Sequence, residues 1–188
     1  MDNKKYQIIY ADPPWAYRNM GNIQATANAQ YKTMSNEDIC NLPIGDLAED
    51  NSILFLWATF PKIQEALDVM KAWGFEYKTI GFNWIKKNKN GGNFFGVGWY
   101  TKSNGEICLI GTKGKAPKES NSVSQIIETV RGKHSAKPDI VRDKIVEFCG
   151  DLPRIELFAR EKTEGWDAIG DGIDGQDIRK SLQDKLKE

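Results

Sequence analysis

The chain has 188 residues, with 26 basic and 26 acidic side chains and one histidine. That length suits a single domain with a sizeable core, and zero net charge excludes a uniformly basic nucleic-acid glove. No apolar run approaches the ~20 residues of a membrane span, and the N-terminus lacks the apolar stretch of a secretory signal, so a cytoplasmic protein with no membrane partner is expected.

In chain order, apolar runs recur at 7–11 (QIIYA), 52–58 (SILFLWA), 79–85 (TIGFNWI), 106–111 (EICLIG) and 154–159 (RIELFA). Near-continuous runs of this kind predict strands buried on both faces. Between them lie helical patterns. Ser35 and Asp38 resemble a capping box opening a helix near 35–42. Over 60–73, Ile63, Leu67 and Met70 recur at helical spacing, and Gly74 stands where a helix stop is expected. Over 138–149, Pro138 suits a first turn, and Ile140, Val141, Ile145 and Phe148 make a stripe. Strands alternating with helices predict an α/β doubly wound sheet, with ligands bound beyond the carboxyl ends of its strands. Two long segments, 16–34 and 86–104, follow strands and could overhang that crevice. Residues 176–188 read as a charged tail, compatible with a frayed helix, after a single domain over 1–175.

Cys40, Cys108 and Cys149 are far apart and form no C-x-x-C pair, so no metal site is expected and small core residues in a reducing compartment are. Charge is local rather than global. Residues 84–92, 112–118 and 130–137 are basic, whereas acids gather at 37–50 and 161–177. A basic rim around one site can hold a polyanion, although each run alone could be a solvated loop.

The most informative stretch is Asp12-Pro13-Pro14-Trp15, directly after the first apolar run. The prolines fix φ and remove donors, which leaves the carbonyls of Asp12 and Pro13 as stiff acceptors beside the Asp12 carboxylate and the flat face of Trp15. Such a cradle suits a planar group bearing an NH₂, as in a nucleobase. Hydrogen bonds from both N–H groups would push electron density onto a weakly nucleophilic nitrogen, so the chemistry is positioning and electrostatics without a covalent intermediate. A base inside a duplex must be flipped out to reach it. The alternative is a proline-rich turn with a core tryptophan.

The motif resembles the D/N/S-P-P-Y/F/W signature of S-adenosylmethionine-dependent amino-methyltransferases. With YKTMSNEDICNLPI, ILFLWAT, FNWIKKN, CLIGTKG, HSAKPD, IELFAR and GWDAIGD following in order, residues 6–175 look like the MTA-type, mRNA adenosine methyltransferase-like, N(6)-adenine methyltransferases. The resemblance implies a circularly permuted Rossmann-like fold, catalytic motif first, with S-adenosyl-L-methionine as cofactor. It implies catalytic roles for Asp12, Pro13, Pro14 and Trp15. Donor contacts would come from Asp12, Lys137, Glu156, Leu157, Phe158, Arg160, Asp171 and Gly172, with Lys137 on the donor's carboxylate. Glu156 and Arg160 could instead pair with each other. Asp171-Gly172 stands where the family has Asn followed by Glu or Gln, and Gly172 cannot replace that side chain. Tyr17, Arg18, Tyr31, Lys86, Trp99, Tyr100 and His134 are expected on the target side, where aromatics interleaved with lysines suit base stacking and phosphate contact. Trp166 reads as core.

A bare catalytic domain without zinc fingers resembles the bacterial and phage DNA branch, so the expected activity is methylation of adenine in DNA, with DNA ahead of RNA as partner. RNA methylation and a non-catalytic nucleic-acid-binding subunit are the alternatives, and a homodimer or a heterodimer with a related chain is compatible with the family.

Overall fold

The apolar runs do form strands, most of them buried on both faces, whereas the run 79–85 buries only Phe82 and Trp84 on one face. The computed structural model describes residues 4–17, 33–98, 100–132 and 136–187. Seven strands, β1 (Tyr6–Ala11), β2 (Ala48–Ala58), β3 (Glu76–Lys87), β4 (Gly105–Lys113), β5 (Ile126–Val130), β6 (Arg154–Leu157) and β7 (Asp167–Ile169), join in the order β5-β3-β4-β2-β1-β6-β7. Neighbours pair in parallel, except that β4 runs antiparallel to both β2 and β3. β1 lies inside the sheet, between β2 and the late strand β6. That is the permuted α/β order the sequence predicts.

Alternation along β1 and β2 splits the core in two. Ile9, Ala11, Leu54, Leu56 and Ala58 face one side, and Ile8, Tyr10, Ile53, Phe55 and Trp57 the other. α1 (Asn36–Cys40), α2 (Ile44–Leu47) and α3 (Ile63–Ala72) cover the first side, and α4 (Ile140–Cys149) covers the second. Ser35 caps α1 by accepting the Asp38 N–H at 3.0 Å, and its hydroxyl donates to the Asp38 carboxylate at 2.8 Å.

The helix faces are rotated from those predicted. Ile63 is 38% exposed, Leu67 packs at the margin of the first core cluster, and α3 buries Ala66, Val69 and Met70. Gly111 on β4 makes room for Met70, which belongs to both stripes: a Cβ there would stand 2.6 Å from its sulfur, so glycine lets α3 approach the sheet. α3 stops at Gly74 as expected, with φ of 84°. The Phe75 N–H bonds the Met70 carbonyl and the Gly74 N–H the Lys71 carbonyl, a Schellman closure. α4 buries Val141, Ile145 and Cys149, while Ile140 is exposed and Phe148 packs at the margin. Pro138 precedes this helix rather than opening it, and its carbonyl accepts the Val141 N–H at 3.0 Å.

Residues after 175 are not simply a tail. α5 (Asp171–Asp174) is followed by α6 (Ile178–Lys185), capped by Asp177, and α6 buries Ile178 and Leu182 in the first core cluster. Cys108 and Cys149 are buried, as expected of small core residues, and Cys40 is half-buried. Trp166 is core, edge-on to Tyr10.

Candidate active site

The carboxyl ends of β1, β2, β6 and β7 open onto a cleft of about 730 Å³, a size that suits a small-molecule ligand. Asp12 to Trp15, Ala58, Phe158, Arg160 and Asp171 line it. β4 begins at this same edge because it runs the other way. Its second residue, Glu106, therefore reaches the cleft wall from a strand start.

The opening motif folds as a turn. The Trp15 N–H bonds the Pro13 carbonyl at 2.9 Å, the Met34 N–H bonds the Pro14 carbonyl at 2.9 Å, and Trp15 bridges to Met34. The Pro13 carbonyl, expected to be open, thus already holds one donor and keeps a single lone pair for a ligand. Trp15 also departs from expectation. It is 7% exposed, and its indole N–H donates to the Trp57 carbonyl at 3.0 Å. Most of its face is packed in the core, so it serves chiefly to lock the turn against β2. The open acceptor is the Asp12 carboxylate, whose side chain keeps 26% exposure.

That carboxylate ends a line of alternating charge. Lys137 Nζ lies 2.7 Å from Asp12 and 3.2 Å from Glu106, and Glu106 also pairs with Lys86. Burial opposes the Lys137 ammonium, but Asp12 and Glu106 outweigh it, so its pKa rises and it stays charged. Burial would also raise Glu106, yet Lys137 and Lys86 prevail and hold it below the usual carboxylate range. For Asp12, burial wins. Its pKa is pushed up, with Lys137 offsetting only part and Glu106 adding to the rise. Trp57 carries this line from below: Lys137 Nζ sits 5.4 Å from its ring centroid, and its indole N–H donates to the Tyr10 hydroxyl at 2.7 Å.

Glu156 pairs with neither Arg160 nor the cleft. Arg142 on α4 grips it with two bonds, at 2.7 and 2.9 Å, and reaches Asp139 at 2.9 Å. Both oxygens of Glu156 are therefore engaged. Burial raises its pKa, with Arg142 working against the rise. Just beyond, Phe158 lines the cleft with φ of 61°, a left-handed conformation that is a strain for a bulky side chain.

Asp171 and Gly172 sit where the chain passes close to Ala159 and Arg160. A Cβ on Gly172 would stand 2.4 Å from the Arg160 Cα, and one on Gly170 would stand 2.2 Å from the Ala159 carbonyl oxygen. A larger residue at 172 would need this approach to open, so Gly172 supplies closeness rather than a contact. The wall continues into α6, with Gln176, Asp177 and Arg179 lining the cleft and Arg179 pairing with Asp38 at 2.8 Å. The Gln176 Oε1 is buried and has no hydrogen-bond partner.

These residues belong to a known set. Residues 6–172 match the MT-A70 family. The chain belongs to that family. It is 34% identical, over its whole length and 86% of the relative's, to the type II methyltransferase M.MunI of a Mycoplasma. It is 28% identical over 91% of its length to the human N(6)-adenosine-methyltransferase catalytic subunit METTL3, of which it spans 29%. A 27% identity over 95% of the chain links it to the Drosophila non-catalytic subunit METTL14, of which it spans 49%. The expected S-adenosylmethionine-dependent methyltransferase activity follows from this MT-A70 membership.

The cleft fits that donor. Asp12, Asp171 and Asp177 offer carboxylates to ammonium and hydroxyl donors, and the orphaned Gln176 oxygen is a further acceptor that a bound N–H or O–H would satisfy. Among the described residues, no cluster of His, Cys, Asp and Glu could hold a metal ion.

The other sequence-predicted residues separate. Tyr17 lines the cleft, its hydroxyl 2.6 Å from Thr59 Oγ1. Lys86 stands behind the cleft wall on Glu106, and Tyr100 is 94% exposed, away from the lining. Leu157 is wholly buried as the last residue of β6. Arg18, Tyr31, Trp99 and His134 lie outside the described residues. Sequence reasoning missed Glu106, Arg142 and Gln176. An acid opening the apolar run EICLIG was a usable signal for the first, because such a charge is costly unless paired.

Proposed function

We propose that this protein transfers a methyl group from S-adenosylmethionine to the exocyclic N(6) amine of adenine in DNA. The observation that carries the reading is the Asp12 carboxylate, open at the end of β1 on a cleft with room for a donor and a base edge. Asp12 and the free lone pair of the Pro13 carbonyl accept the amine's two hydrogens and so direct its nitrogen lone pair outward. The bound donor supplies an electrophilic methyl on a sulfonium. Once the nitrogen carries four bonds it is acidic, and its proton leaves toward Asp12 or water, so no residue is alkylated. Lys137 favours the ionised form of Asp12 and orients it, and as a charged ammonium it is not the base.

DNA is favoured over RNA because similarity runs along the whole chain to a type II methyltransferase, whereas the chain spans 29% of METTL3. In this reading the enzyme works in the cytoplasm. Among the described residues no helix is long and apolar enough to cross a membrane. Likeness to a non-catalytic subunit supports pairing with a second, related chain, which light scattering on the purified protein would measure.

The test is incubation with isotopically labelled donor and either unmethylated genomic DNA or RNA, followed by nucleoside mass spectrometry. N(6)-methyldeoxyadenosine is the expected product. Label found only in RNA, or on cytosine, would overturn the substrate.

A further inference from the structure

Residues 88–104 join β3 to β4 and carry chemistry that the cleft does not use. The segment contains Lys89 and Lys102 and no acid, and Lys86 and Lys87 stand at its root. Lys86 accepts the Phe94 N–H and donates its own N–H to the Asn104 carbonyl, both at 2.9 Å, so two legs lie against the end of β3. Farther out the Gly96 N–H bonds the Ser103 carbonyl at 2.6 Å. In the turn beyond, a Cβ on Gly98 would fall 1.8 Å from the Thr101 carbonyl oxygen, so only glycine fits. The result is a narrow ribbon. Arg131 holds Phe94 at its base, 4.1 Å from the ring centroid. Near the tip, Val97 is 86% exposed, Tyr100 94% and Phe95 55%.

An apolar tip on an acid-free ribbon matches one kind of partner better than others. Lys86 and Lys87 pair with Glu106 and Glu128, but a purely apolar protein surface would leave the charges of Lys89 and Lys102 unanswered. A nucleic-acid duplex answers both, because its phosphates take the lysines and its base stack admits an apolar wedge. The root fixes where that wedge acts. Lys86 pairs with Glu106, which shares Lys137 with Asp12, so the ribbon springs from the wall of the cleft that would receive the base.

We infer that the tip carrying Phe95, Val97 and Tyr100 is a wedge that enters the target duplex and fills the space left when adenine turns into the cleft. This rests on the DNA reading above. Extruding a paired base costs a few kcal/mol of lost pairing and stacking, and an inserted side chain restores part of the stacking. Val97 suits the role, since a β-branched side chain has little rotamer freedom to lose on insertion.

The target sequence is first mapped on plasmid DNA methylated by the purified protein. Duplexes are then made in which the target adenine faces thymine or an abasic site. Val97→Ser is expected to fold normally, because the side chain stands in water. It should lose about ten-fold or more in kcat/KM on the paired duplex and come within about two-fold of the unaltered protein on the abasic one, where extrusion is cheaper. Fluorescence of 2-aminopurine at the target position should fall with it, while the Kd for the paired duplex changes less than about three-fold. Val97→Leu should retain activity on both. Equal losses on the two duplexes, or no loss on either, would overturn the wedge. An unaltered protein that methylates no duplex would instead defeat the DNA reading, and the wedge with it, so the two failures are distinct.

Discussion

Two groups of buried charge flank the central strands, and they are built differently. On the cleft side, Lys137 is shared between two carboxylates at 2.7 and 3.2 Å, and the line ends in the partly exposed Asp12. Away from it, Glu156 and Arg142 close on each other through two bonds, with side chains 10% and 12% exposed. Burial raises both acids, but Arg142 directs two of its bonds to Glu156 and only one to the exposed Asp139, whereas Asp12 competes with the buried Glu106 for one ammonium. A bidentate pair fixes both oxygens of Glu156 in place and holds α4 to β6. An open, shared line keeps an acceptor in reserve and is where chemistry can happen.

The largest expected effect separates the two directly. Asp12→Ala should cut methyl transfer by roughly 100-fold or more while the protein remains folded, as for loss of a preorganised polar group at a reacting centre. Transfer persisting near the original rate would make the cleft line as structural as the other. Next in size, Arg142→Met strands a buried carboxylate and should cost about 3 kcal/mol in urea unfolding. Adding Glu156→Leu should restore much of that loss. A double variant no more stable than the single one would break the contrast from the other side.

A pH profile sharpens it further. Because the pKa of Asp12 in the folded protein is raised, its carboxylate, and activity with it, is lost on acidification at a higher pH than an ordinary aspartate would require. Lys137 lowers that pKa, so Lys137→Met should move the acid limb of kcat/KM upward in pH. An unmoved limb would mean that another group controls it. The smallest effect concerns Phe158. Phe158→Gly relieves a left-handed backbone worth about 1 kcal/mol against lost packing, so the Tm should shift by only a few degrees while donor affinity, by calorimetry, weakens.

Much of this was legible because β1, β2 and β4 are buried on both faces and so read as unbroken apolar runs. β7 spans only Asp167–Ile169, and β5 is an edge strand with Ile126 and Val130 in water, so neither gave such a run. α3 turns Ala66 and Val69 to the sheet beside Met70, which the spacing of Ile63, Leu67 and Met70 does not reveal. In the site, Asp12 and Lys137 were readable as charges beside prolines at element ends. Their pairing with each other was not, since they are far apart in sequence and meet only through the order of the sheet. Arg142 was hidden in the same way: an arginine beside Asp143 and Lys144 on an amphipathic helix looks solvated until the fold brings Glu156 beneath it. Gln176 fell beyond a boundary drawn at 175, where charge suggested a tail although Ile178 and Leu182 anchor a helix.

The reversal of β4 has a last consequence. Because β3 ends and β4 begins at the same edge, the connection between them can lengthen, shorten or be exchanged without altering any strand pairing. Both of its anchors stay beside Asp12 whatever lies between. The fold thus separates the Asp12 cleft from a connection that can be exchanged, and grafting another relative's β3–β4 connection onto this chain is expected to change which DNA sequences are methylated while methyl transfer itself persists.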